Sequence, residues 1–216
     1  MSFQTIFEIQ QSMTVQNRRT VGQQYSRSGQ VRVAQYLTSV PWVFTVMPHS
    51  YLYYPQVRNV IQAIDNKDRQ LPESISFASA NLSWFVEYQG GLSPTQVDAL
   101  TLTAVPAPNA TTITVGNLPS VSSSLYVFKA GDFLQLGLYP YKVTQDVLRG
   151  SGSTVSVTLH RPVIGTPTIG TLTAVGTDCS FYMLAEKCPT YTLNPAPNGA
   201  FVQWDEPFVF REDITG

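Results

Sequence analysis

Two histidines, two cysteines and fourteen acids in 216 residues are the raw material for chemistry in this chain. His49 follows Pro48 and His160 opens His160-Arg161-Pro162, and neither sits near a serine or cysteine in a nucleophile-elbow setting. No Ser-His-Asp or Cys-His arrangement can be assembled from them, and both read as structural or surface histidines. Cys179 and Cys188 lack C-x-x-C spacing and a neighbouring histidine, so they read as buried free thiols and not as zinc ligands. Asp205 and Glu206 are adjacent, and strand neighbours point to opposite faces, which rules out a paired general acid and base. Asp132 and Asp146 could meet over a metal ion, yet turn capping accounts for the first and solvent exposure for the second. Gly150-Ser151-Gly152 lacks the strand-to-helix setting of a phosphate loop and reads as a flexible hairpin turn. Asn81-Leu82-Ser83 and Asn109-Ala110-Thr111 match the glycosylation sequon; without a secretory signal both are taken as chance matches. The residues nominate no catalytic, cofactor-binding or metal site, and no cofactor.

The elements that must carry these residues are mostly strands. The densest signals run from Phe128 to Val147, where Phe133 and Gln135 alternate with Leu134 and Leu136, Gly137 to Pro140 supplies a turn, and Tyr141, Val143 and Val147 share a second strand. Gly131-Asp132 just before it is a tight-turn signal. Residues 1–28 are polar and Gln-rich and read as an arm or irregular lead-in strand. Val31 and Val33 then alternate with Arg32 and Ala34. Trp42, Phe44 and Val46 alternate with Val43, Thr45 and Met47 in a strand apolar on both faces, which places it centrally in a sandwich or barrel. Val57, Val60, Ile61 and Ile64 fall on one stripe of a helix over Pro55 to Arg69, stopped by Pro72. Ser74 to Phe77 and Ser83 to Tyr88 read as further strands before a Gly90-Gly91 turn.

Composition changes near Leu92. Asp98 is the single charge between Ser93 and Leu125. Short strands such as Thr112 to Val115, the Val155, Val157 and Leu159 alternation, and a last strand over Thr171 to Val175 make a small all-β unit. After Asp178 the aromatics return, with Phe181, Tyr182, Tyr191, Phe201, Trp204, Phe208 and Phe210 on strands that rejoin the first sheet. The expected fold is mainly β in an α+β arrangement, with a β-domain split over 1–91 and 178–216 and an inserted small β-barrel-like domain at 92–177.

Charged residues make up 12% of the chain, about half the usual globular share. A neutral, hydroxylated surface suits a protein packed against neighbours, with a secreted or ligand-binding β-domain as the alternative. Arg18, Arg19, Arg27, Arg32 and Arg58 face only Glu8 in the first 58 residues, whereas Asp178, Glu186, Asp205, Glu206, Glu212 and Asp213 outnumber Lys187 and Arg211 at the end. A basic front and an acidic tail can pair head to tail between copies or neutralise one another within one fold. The basic residues carry no nucleic-acid motif. No apolar run approaches the ~20 residues needed to span a bilayer, so no membrane insertion is expected. Met1 to Met13 lacks the form of a signal peptide, so synthesis and assembly in a reducing cytoplasm are expected. Tyr51, Tyr53 and Tyr54 cluster ahead of the helix, where a subunit contact is one reading and core packing the other.

Two blocks carry a family resemblance. Tyr25-Ser26-Arg27-Ser28-Gly29-Gln30 with Trp42-Val43-Phe44, the following helix and Ile75-Ser76-Phe77 resembles the β-sandwich-plus-helix domain shared by tail tube, tube-initiator and distal-tail proteins of tailed bacteriophages. Lys129-Ala130-Gly131-Asp132-Phe133-Leu134-Gln135 with Tyr141-Lys142-Val143-Thr144 and Leu159-His160-Arg161-Pro162 resembles a small β-module recurring inside such proteins. The chain is especially similar to virion proteins of contractile-tailed phages that infect cyanobacteria. Tyr139 and Pro140 depart from the short polar turn expected in the module's hairpin. The resemblance implies a non-enzymatic virion protein, assembled in the host cytoplasm, that forms a ring in the baseplate hub or tube-initiator region. A hexamer is expected, with a trimer as the alternative, and the implied partners are tail tube, baseplate wedge and hub proteins. A receptor- or carbohydrate-binding tail module using exposed Trp or Tyr is the second reading. A tail-associated hydrolase is the third, although no carboxylate pair for peptidoglycan cleavage is visible.

Overall fold

The computed structural model describes residues 3–17, 21–25, 31–35, 40–66, 71–172, 174–197 and 199–214. It opens on a helix, α1 (Phe3–Glu8), where the sequence reading expected an arm or an irregular lead-in strand. Phe3, Ile6 and Phe7 lie at i, i+3 and i+4 and are all buried, so the short helix works as an apolar plug. The Phe7 ring lies 5.7 Å from those of Phe44 and Phe77 and 5.0 Å from that of Phe210. Burial of each such side chain is worth about 1.5–3 kcal/mol, which fixes a helix too short to be stable alone. A strand follows, β1 (Gln10–Gln16), and then β2 (Val21–Tyr25) and β3 (Val31–Gln35), which pair only with each other among the described residues. Arg18, Arg19, Arg27 and residues 26–30 of the lead-in motif lie outside the described residues.

Next come β4 (Val43–Pro48), β5 (Leu52–Tyr53), α2 (Tyr54–Asn66) and β6 (Glu73–Ser76). The helix is the expected one, with Val57, Ile61 and Ile64 buried and Pro55 in its first turn. Its expected continuation through 67–69 lies outside the described residues. Ser83 to Tyr88 forms no strand: Ser83–Phe85 is a single 3₁₀ turn, because three consecutive bulky residues give no period of two to hold a ladder.

A short helix that the sequence reading missed, α3 (Pro94–Asp98), comes next. Its start is encoded by Ser93-Pro94-Thr95-Gln96: proline takes the first helical position, and the Gln96 Oε1 accepts the Ser93 N–H at 3.0 Å. Nine short strands fill the middle of the chain. They are β7 (Thr101–Leu102), β8 (Thr112–Gly116), β9 (Tyr126–Phe128), β10 (Phe133–Leu136), β11 (Tyr139–Lys142), β12 (Val147–Leu148), β13 (Val155–Thr158), β14 (Gly170–Thr171) and β15 (Ala174–Val175). The chain closes with β16 (Ser180–Lys187), β17 (Tyr191–Ala196), β18 (Gly199–Trp204) and β19 (Phe208–Glu212).

The molecule is mostly β, with several antiparallel sheets and few helices. The largest sheet has the order β1-β4-β19-β16-β6, so the C-terminal strands do return beside the N-terminal ones. A second has the order β17-β18-β5. The middle strands form β13-β8-β7-β14, β11-β10-β15 and β12-β9. Two details of the 128–147 region differ from expectation. Leu136 pairs with Tyr139, so the hairpin loop is only Gly137-Leu138, and Gly137 supplies the positive φ (62°) that a two-residue loop needs. Tyr139 and Pro140 are therefore strand residues. Proline is tolerated because β11 is the edge of its sheet. Val147 leaves this hairpin and pairs with Phe128 on β9. Likewise, Thr171 to Val175 is two strands, β14 against β7 and β15 against β10.

Two apolar cores result. The first gathers Phe3, Phe7, Trp42, Phe44, Phe77, Phe181 and Phe210 with the α2 stripe. The second draws its buried members from Leu92 to Val175. β10 is the wall between them. Its four residues are all buried, and strand alternation sends Leu134 and Leu136 into the second core while Phe133 packs in the first, 5.5 Å from the Trp42 ring and 5.2 Å from that of Phe85. Gln135, on the Phe133 side, accepts the Ser180 N–H at 2.9 Å.

Candidate interaction surfaces

Several of the titratable groups are tied into the fold. Arg161 and Glu212, fully and almost fully buried, form a bidentate pair at 2.5 and 2.7 Å. The guanidinium also donates to the carbonyls of Val40 at 2.7 Å and Pro140 at 2.9 Å, and lies 5.0 Å from the Tyr141 ring centre. Glu212 accepts the Trp42 N–H at 3.0 Å, and the Trp42 indole N–H reaches the Pro140 carbonyl at 3.1 Å. This cluster ties the start of β4, the end of β19 and the hairpin strand β11 into one charge-neutral knot.

His160 sits beside it, its ring 4.9 Å from that of Trp42. Its Nδ1 accepts the Lys142 N–H at 3.0 Å, a bond open only to the neutral ring. Burial first, then the charges of Arg161 and Lys142, push its pKa from 6.5 down to about 3. It is a neutral, structural histidine far below the range of a general base at neutral pH.

Asp132 is fully buried, and burial raises its pKa, opposed by backbone donors. Its two oxygens accept the N–H groups of Gln89 at 2.7 Å and Lys129 at 2.8 Å, which makes it the cap of the turn before β10. Asp146, exposed, takes the Ala130 N–H of the same turn at 2.8 Å. Asp205 accepts from Thr190 and Thr192 at 3.1 and 3.3 Å, while Glu206 pairs with Lys187, so the adjacent acids serve different partners. The carbonyls of Gly150 and Gly152 accept from the Arg149 guanidinium at 3.1 and 2.6 Å, closing that loop on itself. Cys179 is buried, which raises its thiol pKa, and Cys188 is half-buried. Among the described residues no group of three or more His, Cys, Asp or Glu converges on a metal position.

What remains unspent is surface. Tyr51, at 69% exposure and φ 64°, stands free of the core, but its neighbours do not: Tyr53 packs on Phe201 at 6.0 Å and Tyr54 on the first core. The tyrosine cluster is thus divided between surface and packing. A more coherent patch lies on β17, the edge of its sheet, whose residues are all exposed or half-buried. Tyr191 and Leu193 are exposed on it, and Pro195 marks it as an edge strand. Beside it lies a hollow of about 210 Å³ of mixed character, where Ile61, Ile64, Tyr191, Trp204 and Phe208 are joined by Asp65 and Thr190. The sequence reading placed aromatics here but could not say which would stay outside, because that depends on which sheet β17 joins. No protein family model matches the chain, and no curated protein is similar to it in sequence.

Proposed function

We propose that this protein is a non-enzymatic structural component of a phage tail. It forms a ring in the baseplate hub or tube-initiator region and connects tail tube to baseplate. In this reading the five-stranded sheet, α1 and α2 make a tail-tube-like β-domain split over 1–91 and 178–216, and 92–177 is an inserted small β-barrel-like domain. The observation that carries it is β17, an edge strand with exposed apolar side chains and no outer partner among the described strands. An unpaired edge that exposes apolar side chains such as Tyr191 and Leu193 favours pairing with another chain, and closure into a ring would satisfy it. The β2–β3 ribbon, which pairs with nothing else among the described residues, offers the complementary edge on the next copy. Its flanking sequence is arginine-rich, and of the acids on β16 to β19 Glu186 and Glu206 already pair with Arg211 and Lys187, which leaves Asp205 as the unlike charge for a head-to-tail contact.

A substitution on the exposed edge tests this. Leu193→Asp places a charge on the pairing strand without touching either core. The wild type is expected to form a closed oligomer by light scattering and the variant to remain monomeric with an unchanged circular dichroism spectrum. An oligomer unaffected by Leu193→Asp would remove β17 from the interface.

A further inference from the structure

A polar groove of about 350 Å³ lies where the end of α1, the start of β1 and the loop before the 3₁₀ turn meet, lined by Glu8, Gln10, Gln11, His49, Asn81 and Trp84. Its size falls in the range of small-molecule sites. Three observations make it more than an indentation. Trp84 is 61% exposed, the most exposed of the three tryptophans, with Trp42 and Trp204 at 2% and 4%. Its ring is nevertheless held in place: the indole N–H donates to the Asn81 carbonyl at 2.9 Å, and Phe85 packs against it nearly perpendicular at 6.0 Å. An immobilised, solvent-facing indole with its polar atom already engaged presents only its flat face. Glu8 is fixed by Gln4 at 3.0 Å and Ser79 at 2.9 Å, so its carboxylate is oriented before any ligand arrives. Gln10 lines the groove with its side-chain oxygen shielded from solvent and without a hydrogen-bond partner. An orphan acceptor of this kind is costly unless something donates to it.

The backbone supplies the reason these side chains meet. The β1–β4 ladder shifts register between Gln10 and Ser12, a bulge that leaves Gln11 without a ladder partner at the stretch of β1 that lines the groove.

We propose that the groove binds a neutral saccharide, with one sugar ring stacked on Trp84 and its hydroxyls donating to Glu8 and, once the Gln10 side chain turns outward, to the Gln10 oxygen. A sugar ring has an apolar C–H face for the indole and vicinal hydroxyl donors for the two acceptors. The carboxylate disfavours phosphate and other anions, which sets nucleic acid and acidic glycans aside. An apolar peptide side chain would leave the Gln10 oxygen unsatisfied. The site does not depend on ring assembly: a monomer that binds saccharide overturns the ring and leaves the groove standing.

The buried positions of Trp42 and Trp204 make fluorescence selective for the site. The test titrates the full chain with maltohexaose, cellohexaose, chitohexaose and mannohexaose, reading tryptophan emission and its quenching by acrylamide. At least one of them should shift the emission and protect Trp84 from acrylamide. Trp84→Ala should abolish the response, and Gln10→Ala should weaken binding by about tenfold, the loss of one hydrogen bond to a buried partner. If Trp84→Ala does not fold, displacement of the Trp84 indole N–H resonance in the wild type decides the matter. The proposal is overturned if none of the four protects Trp84, if binding survives Trp84→Ala, or if Trp84 is already inaccessible to acrylamide because a second copy covers it.

Discussion

The two terminal nitrogens of Arg161 meet four oxygens while its buried Nε has no hydrogen-bond partner, and among the described residues Glu212 is the acid that pairs with it. Buried pairs of this kind stabilise little in net terms, but breaking one strands a charge in the interior. Glu212→Gln is therefore expected to lower unfolding free energy by about 3–5 kcal/mol in urea titrations, whereas the double replacement Arg161→Met with Glu212→Leu should recover most of that loss. Equal instability of both variants would show that the pair is needed for more than charge balance. His160 makes a pH prediction with a definite sign. Its folded pKa is about 3 and its unfolded value 6.5, so the unfolded chain takes up a proton over a range where the folded ring refuses it. The contribution is complete above pH 6.5 and falls by up to ~1.4 kcal/mol per pH unit as pH drops through that window. His160→Gln should flatten the urea midpoint between pH 4 and 6.5 by about one proton's worth of slope. An unchanged slope would mean that His160 is solvated. None of this pairing was legible in the sequence, because Arg161 and Glu212 are brought together only by the tertiary fold.

Among the elements, β10 bears on both cores at once. Phe133→Ala and Leu134→Ala are expected to cost about 3–5 and 2–5 kcal/mol respectively, by cavity formation on opposite faces of one strand. Amide exchange should then accelerate first around Trp42 and Phe181 in the former and around Val115 and Val157 in the latter. Identical exchange maps would contradict the two-faced strand. Elements with a clean period were readable beforehand: the α2 stripe, β4, β13 and the first strand of the hairpin. α1 was hidden because Phe3, Ile6 and Phe7 are embedded in a glutamine-rich stretch whose polarity outweighed the i, i+3, i+4 spacing. α3 carried its full start signal in Ser93 to Gln96, drowned by the turn-rich composition around it. Ser83 to Tyr88 misled in the opposite direction, since β-prone residues without alternation need a neighbouring strand that the fold does not provide. Trp84, which lines the proposed saccharide groove, fell inside that misread strand.

At the scale of the whole molecule, the alternation of strand, helix and strand predicted a mainly β protein, and the return of the C-terminal strands to the N-terminal sheet followed from the aromatic pattern. Surface function was harder to read, because an exposed Leu193 and a buried Val202 look alike until β17 is seen at an edge and β18 beside it. The low charge, the apolar edge and the β2–β3 ribbon, unpaired with other described strands, together motivate the proposed ring, while Glu212, Asp132 and His160 are tied into the fold. The most direct measurement is the native mass of the purified full chain, alone and mixed with the tail tube and baseplate proteins that the proposal assigns as its partners. The account predicts a closed oligomer, six-fold as expected for a tail ring, that adds mass when those partners are present. A persistent monomer that joins no tail complex would contradict it.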